Sequence, residues 1–168
     1  MREATRLLRE RKAEEAEPLL LKARAAEPDA PDILNNLAAA YGLQGRVEQA
    51  DALTRHLYQR YPDYLFARTN MVQLALRVRE IERAEALVAP LRTRRRFHVS
   101  EFAASCSAQL ELLLAQNQAE GARSWLEIWV RVDPDHPLLA HWRQRLAHAG
   151  RPSLLRRFLR GRRGRAVG

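Results

Sequence analysis

The chain has 168 residues and contains little cysteine, glycine, proline or aromatic side chain. One cysteine, Cys106, excludes an intrachain disulfide framework and a Cys-x-x-Cys metal site. Seven glycines, eight prolines and 7% aromatic residues argue against a β-sandwich, a fold that is rich in turns and in β-branched and aromatic residues. Alanine and leucine dominate the apolar residues, and this composition favours packed helices.

Long apolar stretches are also missing. No run of 18 apolar residues occurs, so the sequence predicts no transmembrane helix. The first eleven residues are charged and lack the apolar core of a signal peptide, and we expect a cytoplasmic protein. A hydrophobic content of 46% nevertheless excludes a wholly disordered chain, and the length suits one domain or a short array of repeats.

Positive charge is concentrated after Gly150. The net charge is +9, and the residues up to Gly150 hold 22 basic and 20 acidic side chains. The basic tail, residues 151–168, has no acidic residue and seven arginines: Arg151, Arg156, Arg157, Arg160, Arg162, Arg163 and Arg165. Three interpretations stay open: an arm for nucleic acid or an anionic membrane surface, a disordered solubilising terminus, or a segment that docks on the preceding helix. The third depends on an apolar stripe of Leu154, Leu155, Phe158 and Leu159.

Two residue types repeat along the chain at a common interval. The alanines Ala16, Ala50, Ala84 and Ala122 differ in sequence number by 34, 34 and 38. The prolines Pro28, Pro62 and Pro134 differ by 34 and then by 72. Because this last step equals one ordinary step and one longer step, both residue types indicate four units with a four-residue insertion before the fourth.

Each unit is predicted to be a pair of helices joined by a tight turn. Leu34, Leu37 and Tyr41 have the spacing of one helical face, and Gly45 suits the turn because glycine adopts the left-handed conformation at little cost. Asn117 stands at the equivalent position of the fourth unit. Helices are predicted at about 13–26, 31–43, 47–61, 65–77, 81–92, 100–115, 119–131 and 138–148.

The insertion falls at the junction of the third and fourth units. Its arginines predict a longer basic loop, and Ser100 is expected to cap the helix that follows. The arginines of this loop are Arg92, Arg94, Arg95 and Arg96.

The helix–turn–helix pattern of residues 1–148 resembles the tetratricopeptide repeat, whose unit has about 34 residues. The second unit carries the resemblance most fully, through Leu34, Leu37, Ala38, Tyr41, Gly45, Ala50 and Pro62. The resemblance implies an all-α, right-handed superhelical solenoid of about four units over residues 1–150, with 138–148 as a capping helix. The first unit lacks the start of its first helix, and this end is a possible self-association surface.

Tetratricopeptide arrays typically bind peptides or protein segments on a concave face formed by the first helix of each unit. The resemblance places nine residues of this chain there: Asp32, Asn35, Ala39, Phe66, Thr69, Gln73, Arg77, Ser107 and Glu111. Asn36 resembles one member of the carboxylate clamp of chaperone-binding members, but Phe66 and Asn70 stand where that clamp needs basic residues. We therefore interpret Asn36 as a structural residue that forms a hydrogen bond between helices.

Motifs for catalysis are absent from the sequence. It contains no glycine-rich phosphate loop, no Gly-x-Ser-x-Gly and no His-Glu-x-x-His, so we expect neither an enzyme nor a cofactor. His136, His141 and His148 are interpreted as part of a solvated capping helix rather than a metal site. Cys106 lies on a predicted apolar stripe and is interpreted as a core residue rather than a reactive thiol.

The three tryptophans are close together in the sequence. Trp125 and Trp129 are one helical turn apart, and Trp142 lies on the predicted capping helix. They indicate an aromatic seam between the last repeat and the cap, or alternatively an anchor for a partner.

The sequence therefore predicts a non-catalytic protein–protein interaction scaffold that binds a peptide or protein segment on its concave face. The alternative is a nucleic-acid-associated protein that uses the basic loop and the arginines Arg156, Arg157, Arg160, Arg162, Arg163 and Arg165. A steep decrease of affinity with salt would distinguish the alternative from the scaffold.

Overall fold

The helices of the chain follow one another as antiparallel pairs. The structure is a computed structural model that describes residues 1–149, and this range contains nine α-helices and no β-strand. The helices are α1 (Arg2–Arg9), α2 (Ala13–Ala26), α3 (Pro31–Leu43), α4 (Val47–Arg60), α5 (Leu65–Arg77), α6 (Ile81–Thr93), α7 (Val99–Ala115), α8 (Ala119–Val132) and α9 (Leu138–His148). All predicted helices are present within one residue of their predicted ends, which confirms the all-α class. The basic tail lies outside the described residues.

The helix boundaries repeat with the interval of the alanines. The first helices of the four pairs end at Arg9, Leu43, Arg77 and Ala115, and the second helices begin at Ala13, Val47, Ile81 and Ala119. Both series advance in sequence number by 34, 34 and 38, and each pair is joined by three residues. The described chain is therefore consistent with a helical repeat that has one longer step.

A left-handed residue lies in the middle of each of these turns. Gly45 (φ 75°) and Asn117 (φ 60°) adopt this conformation as predicted, and Arg11 (φ 61°) and Arg79 (φ 62°) adopt it at the two equivalent positions. In all four turns the next N–H donates to the carbonyl five residues earlier, at 2.8–2.9 Å. This is the Schellman pattern, which satisfies carbonyl groups at the end of a helix.

Residues 1–112 form one compact unit in which consecutive helices from α1 to α6 pack on their neighbours. Its apolar residues form successive clusters that each join three helices, represented by Ala16, Leu20 and Leu37, by Leu34, Leu57 and Ala67, and by Val72, Val88 and Leu112. The repeat alanines Ala16 and Ala84 are fully buried, whereas Ala50 is half-buried. Packing is therefore local, as in a repeat whose units contact their neighbours in the chain.

Acidic residues beside the repeat alanines bind arginines along this unit. Glu17 accepts hydrogen bonds from Arg46 Nη1 at 2.8 Å and from Gln44 Nε2 at 2.9 Å, which joins α2 to the turn after α3. At the positions equivalent to Glu17 in the next two units, Asp51 on α4 pairs with Arg77 of α5, and Glu85 pairs with Arg92 of its own helix, α6. The sequence numbers of the three acidic residues differ by 34 at each step, so the acidic position repeats with the helices, although the position of its arginine partner does not.

A second compact unit begins at Leu113 and is described as far as Ala149. In it α8 packs on α9, with Trp129 fully buried, Trp142 nearly so and Trp125 half-buried. The Trp129 ring lies 4.9 Å from the His136 ring, and the Trp142 ring lies 5.6 Å from that of its neighbour His141. The predicted seam is therefore buried at two tryptophans and combines indole with imidazole rings.

Within residues 1–149, the helices are too short or too polar to cross a membrane.

Candidate functional site

A groove of about 690 Å³ lies in the unit formed by residues 1–112. Its walls come mainly from the first helices of the pairs: α1, α3, the start of α5 and the first turn of α7. We call it the first-helix groove. Three of the nine predicted partner-binding residues, Asp32, Asn35 and Phe66, line it together.

The other predicted partner-binding residues do not line this groove. Ala39 and Gln73 are exposed farther along α3 and α5, whereas Ser107 and Glu111 are half-buried on α7. Arg77 is held in the ion pair with the second-unit aspartate described above. The groove thus covers only the beginning of the predicted surface.

Thr69 is the one predicted partner-binding residue that the structure buries. Its side chain is only 4% exposed, and its hydroxyl donates a hydrogen bond to the carbonyl oxygen of Phe66 at 3.1 Å. A threonine hydroxyl that bonds to its own helix is satisfied without a ligand.

Tyr64 and Phe66 form an aromatic wall beside a carboxylate. The Tyr64 hydroxyl donates to Oδ1 of Asp32 at 2.6 Å and ties the start of α5 to the start of α3. Burial, and then this hydrogen bond, raise the pKa of Tyr64 far above its usual value, so the hydroxyl stays a donor. The Tyr64 and Phe66 rings are 5.6 Å apart and tilted, a favourable arrangement for aromatic pairs.

A hydrogen bond between asparagines joins α3 to α5 next to this wall. Asn70 Nδ2 donates to Oδ1 of Asn35 at 2.9 Å. The prediction that Asn36 forms the hydrogen bond between helices is therefore wrong, because its neighbour Asn35 forms this bond. Asn36 is half-buried and lines the groove. One residue turns a helical side chain by about 100°, so the two asparagines point in different directions.

Arginines of α1 add positive charge to the groove. Arg2, Arg6 and Arg9 all line it, with the i, i+4, i+7 spacing of one helical face. Arg6 is held by Glu3 and Glu10, at 2.5 and 2.7 Å, whereas the ion pairs of the described residues do not engage Arg2 or Arg9. These arginines were not predicted as site residues because the first helix was expected to be incomplete, although their spacing was a usable signal.

Only part of the predicted basic loop is a loop, and two of its four arginines form ion pairs. Arg92 belongs to α6, and its guanidinium pairs with Glu85 at 2.5 Å. Arg94 follows that helix and pairs with Glu101 at 3.1 Å. Carboxylates thus neutralise two of the four arginines, and the loop exposes Arg95 and Arg96.

The start of α7 is capped by a residue other than the predicted serine. Glu101 Oε2 accepts a hydrogen bond from the His98 N–H at 3.0 Å. Ser100 lies within the first turn of α7 and lines the first-helix groove. A glutamate that reaches back to the N-terminal N–H is one half of a capping box.

Cys106 is a core residue, as predicted. It is 1% exposed, and burial raises the pKa of its thiol to about 12. A thiol that stays protonated at neutral pH is a poor nucleophile and a poor metal ligand. In residues 1–149, histidine, cysteine and carboxylate side chains do not gather in threes as metal ligands would.

Comparison with protein-family models, with curated proteins and with solved structures finds no match to this chain.

Proposed function

We propose that the chain is a tetratricopeptide-type scaffold that binds an extended segment of a partner protein in the first-helix groove. The family assignment is supported by the increments of 34, 34 and 38 that alanines, helix boundaries and left-handed turn residues share. A right-handed superhelical path and a cytoplasmic location belong to the proposal. It includes neither a catalytic step nor a cofactor.

The observation that carries the binding role is the mixture of side chains in the groove. Phe66 and Tyr64 offer an aromatic wall to a hydrophobic side chain. The Asn36 amide has both donors and an acceptor, which suit the main chain of an extended segment. The guanidinium groups of Arg2 and Arg9 attract carboxylates. The groove therefore favours a segment that combines a hydrophobic residue with an acidic one.

The test selects segments from a displayed peptide library against the full chain and measures their affinity by fluorescence polarisation. We expect Phe66→Ala to weaken binding of the selected segments about tenfold or more, because truncation of an aromatic anchor at an interface costs about 2 kcal/mol and each 1.4 kcal/mol is about tenfold in affinity. We expect Arg2→Glu with Arg9→Glu to weaken the binding of acidic segments more than that of other segments.

Phe97→Ala is the matched control for the aromatic variant. Phe97 is half-buried like Phe66 but does not line the groove. Equal losses of affinity in both variants, or a library that yields no binder, would contradict the proposal.

The nucleic-acid alternative is tested in the same protein by affinity capture with and without nuclease. The proposal predicts that protein partners survive nuclease and moderate salt. Recovery that disappears with nuclease would favour the alternative, in which Arg95, Arg96 and the basic tail bind phosphates.

A further inference from the structure

A second groove, of about 480 Å³, lies between α8 and α9 in the unit that begins at Leu113. Its apolar lining residues are Leu126, Val130, Leu146 and Ala147. Its charged lining residues are Arg123, Glu127, Arg131 and Arg143. The proposed function does not use this groove, so its occupant is a separate question.

The described chain ends at one end of this groove. Arg123 Nη2 donates a hydrogen bond to the carbonyl oxygen of Ala149 at 3.0 Å, and Arg123 itself lines the groove. Ala149 has an extended backbone (ψ 133°), so the chain leaves the axis of α9 there. The carbonyl group of Ala149, the last described residue, therefore lies beside the first of the α8 residues that line the groove.

The sequence after Ala149 has the pattern of an apolar helical face. Leu155, Phe158 and Leu159 have the i, i+3, i+4 spacing of the buried residues Ala84, Leu87 and Val88 of α6. Ser153 is a suitable N-cap for a helix that begins at Leu154, and the five residues 149–153 would then join this helix to α9, compared with three residues in the other pairs.

The length of such a helix and the positions of its charged residues also fit the groove between α8 and α9. The groove follows α8 from Arg123 to Arg131, about 12 Å along the helix axis, and a helix over residues 154–160 is about 9 Å long by the same measure, so it fits within the groove. On such a helix Arg156, Arg157 and Arg160 face away from the apolar stripe, so they need not approach the arginines of the groove.

We propose that residues 154–159 dock in the groove between α8 and α9 as the second helix of a fifth pair. The occupant is this segment of the same chain because it is covalently held at the end of the groove, which gives it a high effective concentration. Docking covers the apolar lining of the groove and keeps the arginines from Arg160 to Arg165 next to this unit.

A disulfide cross-link tests the proposal in the full-length protein. In the variant Val130→Cys with Leu159→Cys, we expect an intrachain disulfide under mild oxidation, because docking brings a lining residue of α8 close to the apolar stripe. The matched control is Val130→Cys with Arg157→Cys, since Arg157 is only two residues away but on the opposite helical face. We expect the control to form its disulfide about tenfold more slowly, because docking makes the two cysteines face each other only in the first variant.

Each outcome of the cross-linking is informative. Equal rates in the two variants would overturn the proposal, because they indicate a tail that does not dock on one face. A disulfide between two chains would also overturn it and would assign the groove to a second copy. Native Cys106 can remain in both variants because it is buried.

Hydrogen exchange provides a second measurement that does not need new cysteines. We expect the amides of residues 155–160 to exchange at least about tenfold more slowly than those of residues 162–168 in the full chain. Leu155→Asp with Phe158→Asp should remove this protection, whereas Arg156→Asp with Arg157→Asp should retain it. Fast exchange throughout the wild-type tail would overturn the proposal and leave the groove to another occupant.

Discussion

Four residues with positive φ lie in the middle of the turns within the helix pairs, yet only one of them is glycine. A left-handed conformation costs a residue with a Cβ about 1–2 kcal/mol, so Arg11 and Arg79 adopt it against their own preference. The hydrogen bonds from the following N–H groups to the preceding helix, at 2.8 and 2.9 Å, offset this cost. At the scale of the residue, the turn is therefore imposed by the helices on both sides.

The two glycines near the second of these turns should respond in opposite ways to alanine. Gly45 has φ 75°, and Gly45→Ala should lower the free energy of unfolding by about 1 kcal/mol through backbone strain alone, since a Cβ there meets no atom within 4 Å. Gly42 lies inside α3, and a Cβ added to it would also meet no atom within 4 Å, so Gly42→Ala should raise the free energy of unfolding by about 0.5–1 kcal/mol. Urea denaturation measures both changes, and shifts of the same sign would contradict this account.

The differences between the residue assignments made from the sequence and the structure also belong to the residue scale. Asn35 and Asn36 are adjacent and identical in type, so nothing in the sequence distinguishes the one that bonds Asn70 from the one that lines the groove. Thr69 has the spacing of a surface residue, but its burial depends on the neighbouring helices. Such assignments require the rotation of each helix about its own axis, and a difference of less than one turn changes which side chain faces the groove.

At the scale of the element, acidic residues of the second helices connect neighbouring elements. Glu17 on α2 binds Arg46 and Gln44 beyond α3, and Asp51 on α4 binds Arg77 at the end of α5. The acidic residues follow the repeat interval, but their contacts were not predicted from the sequence because surface charges usually contribute little to stability. Partial burial distinguishes these pairs, since the Glu17 and Asp51 side chains are only 19% and 20% exposed.

The Glu17 contacts predict a pH-dependent contribution to stability. Hydrogen bonds from Gln44 and Arg46 lower the pKa of Glu17 below its usual value of 4.5. A carboxyl whose pKa is lower in the folded state stabilises the fold fully above its unfolded pKa, and this contribution is lost as the pH falls through the folded pKa. Glu17→Gln should therefore lower the free energy of unfolding by about 1 kcal/mol at neutral pH and by less in acid.

Denaturation of wild type and variant across the acidic pH range measures this difference. Glu14→Gln is the control, because Glu14 is exposed on the same helix. A difference between wild type and Glu17→Gln that does not depend on pH would show that the carboxylate charge is not responsible.

At the scale of the whole molecule, the aromatic probes divide between the two compact units. The four tyrosines lie between residues 41 and 64, in the unit with the first-helix groove, and the three tryptophans lie between residues 125 and 142, in the other unit. Each unit therefore has its own spectroscopic signal in the unmodified protein.

Binding of a selected segment in the first-helix groove should change the tyrosine bands of the near-UV circular dichroism spectrum. Tyr64 lines that groove, and its hydroxyl bonds Asp32, so a ligand there alters the surroundings of this ring. The tryptophan emission should stay unchanged, because no tryptophan lines the groove. A shift of the tryptophan emission without any tyrosine change would place the ligand in the unit that begins at Leu113.

The sequence by itself determined the helices, their pairing and the interval between pairs, because these depend on local periodicity and on residues such as Ala16, Gly45 and Pro62 that act within a few positions. The tertiary structure alone decided which side chains share the first-helix groove, since Arg2, Asn36 and Tyr64 come from separate parts of the chain. It also decided that Arg94 is already neutralised, because Arg94 meets Glu101 only once the chain has folded around the α6–α7 junction. Local patterns act through the backbone, whereas a binding surface depends on the relative positions of helices, which no short stretch of sequence encodes.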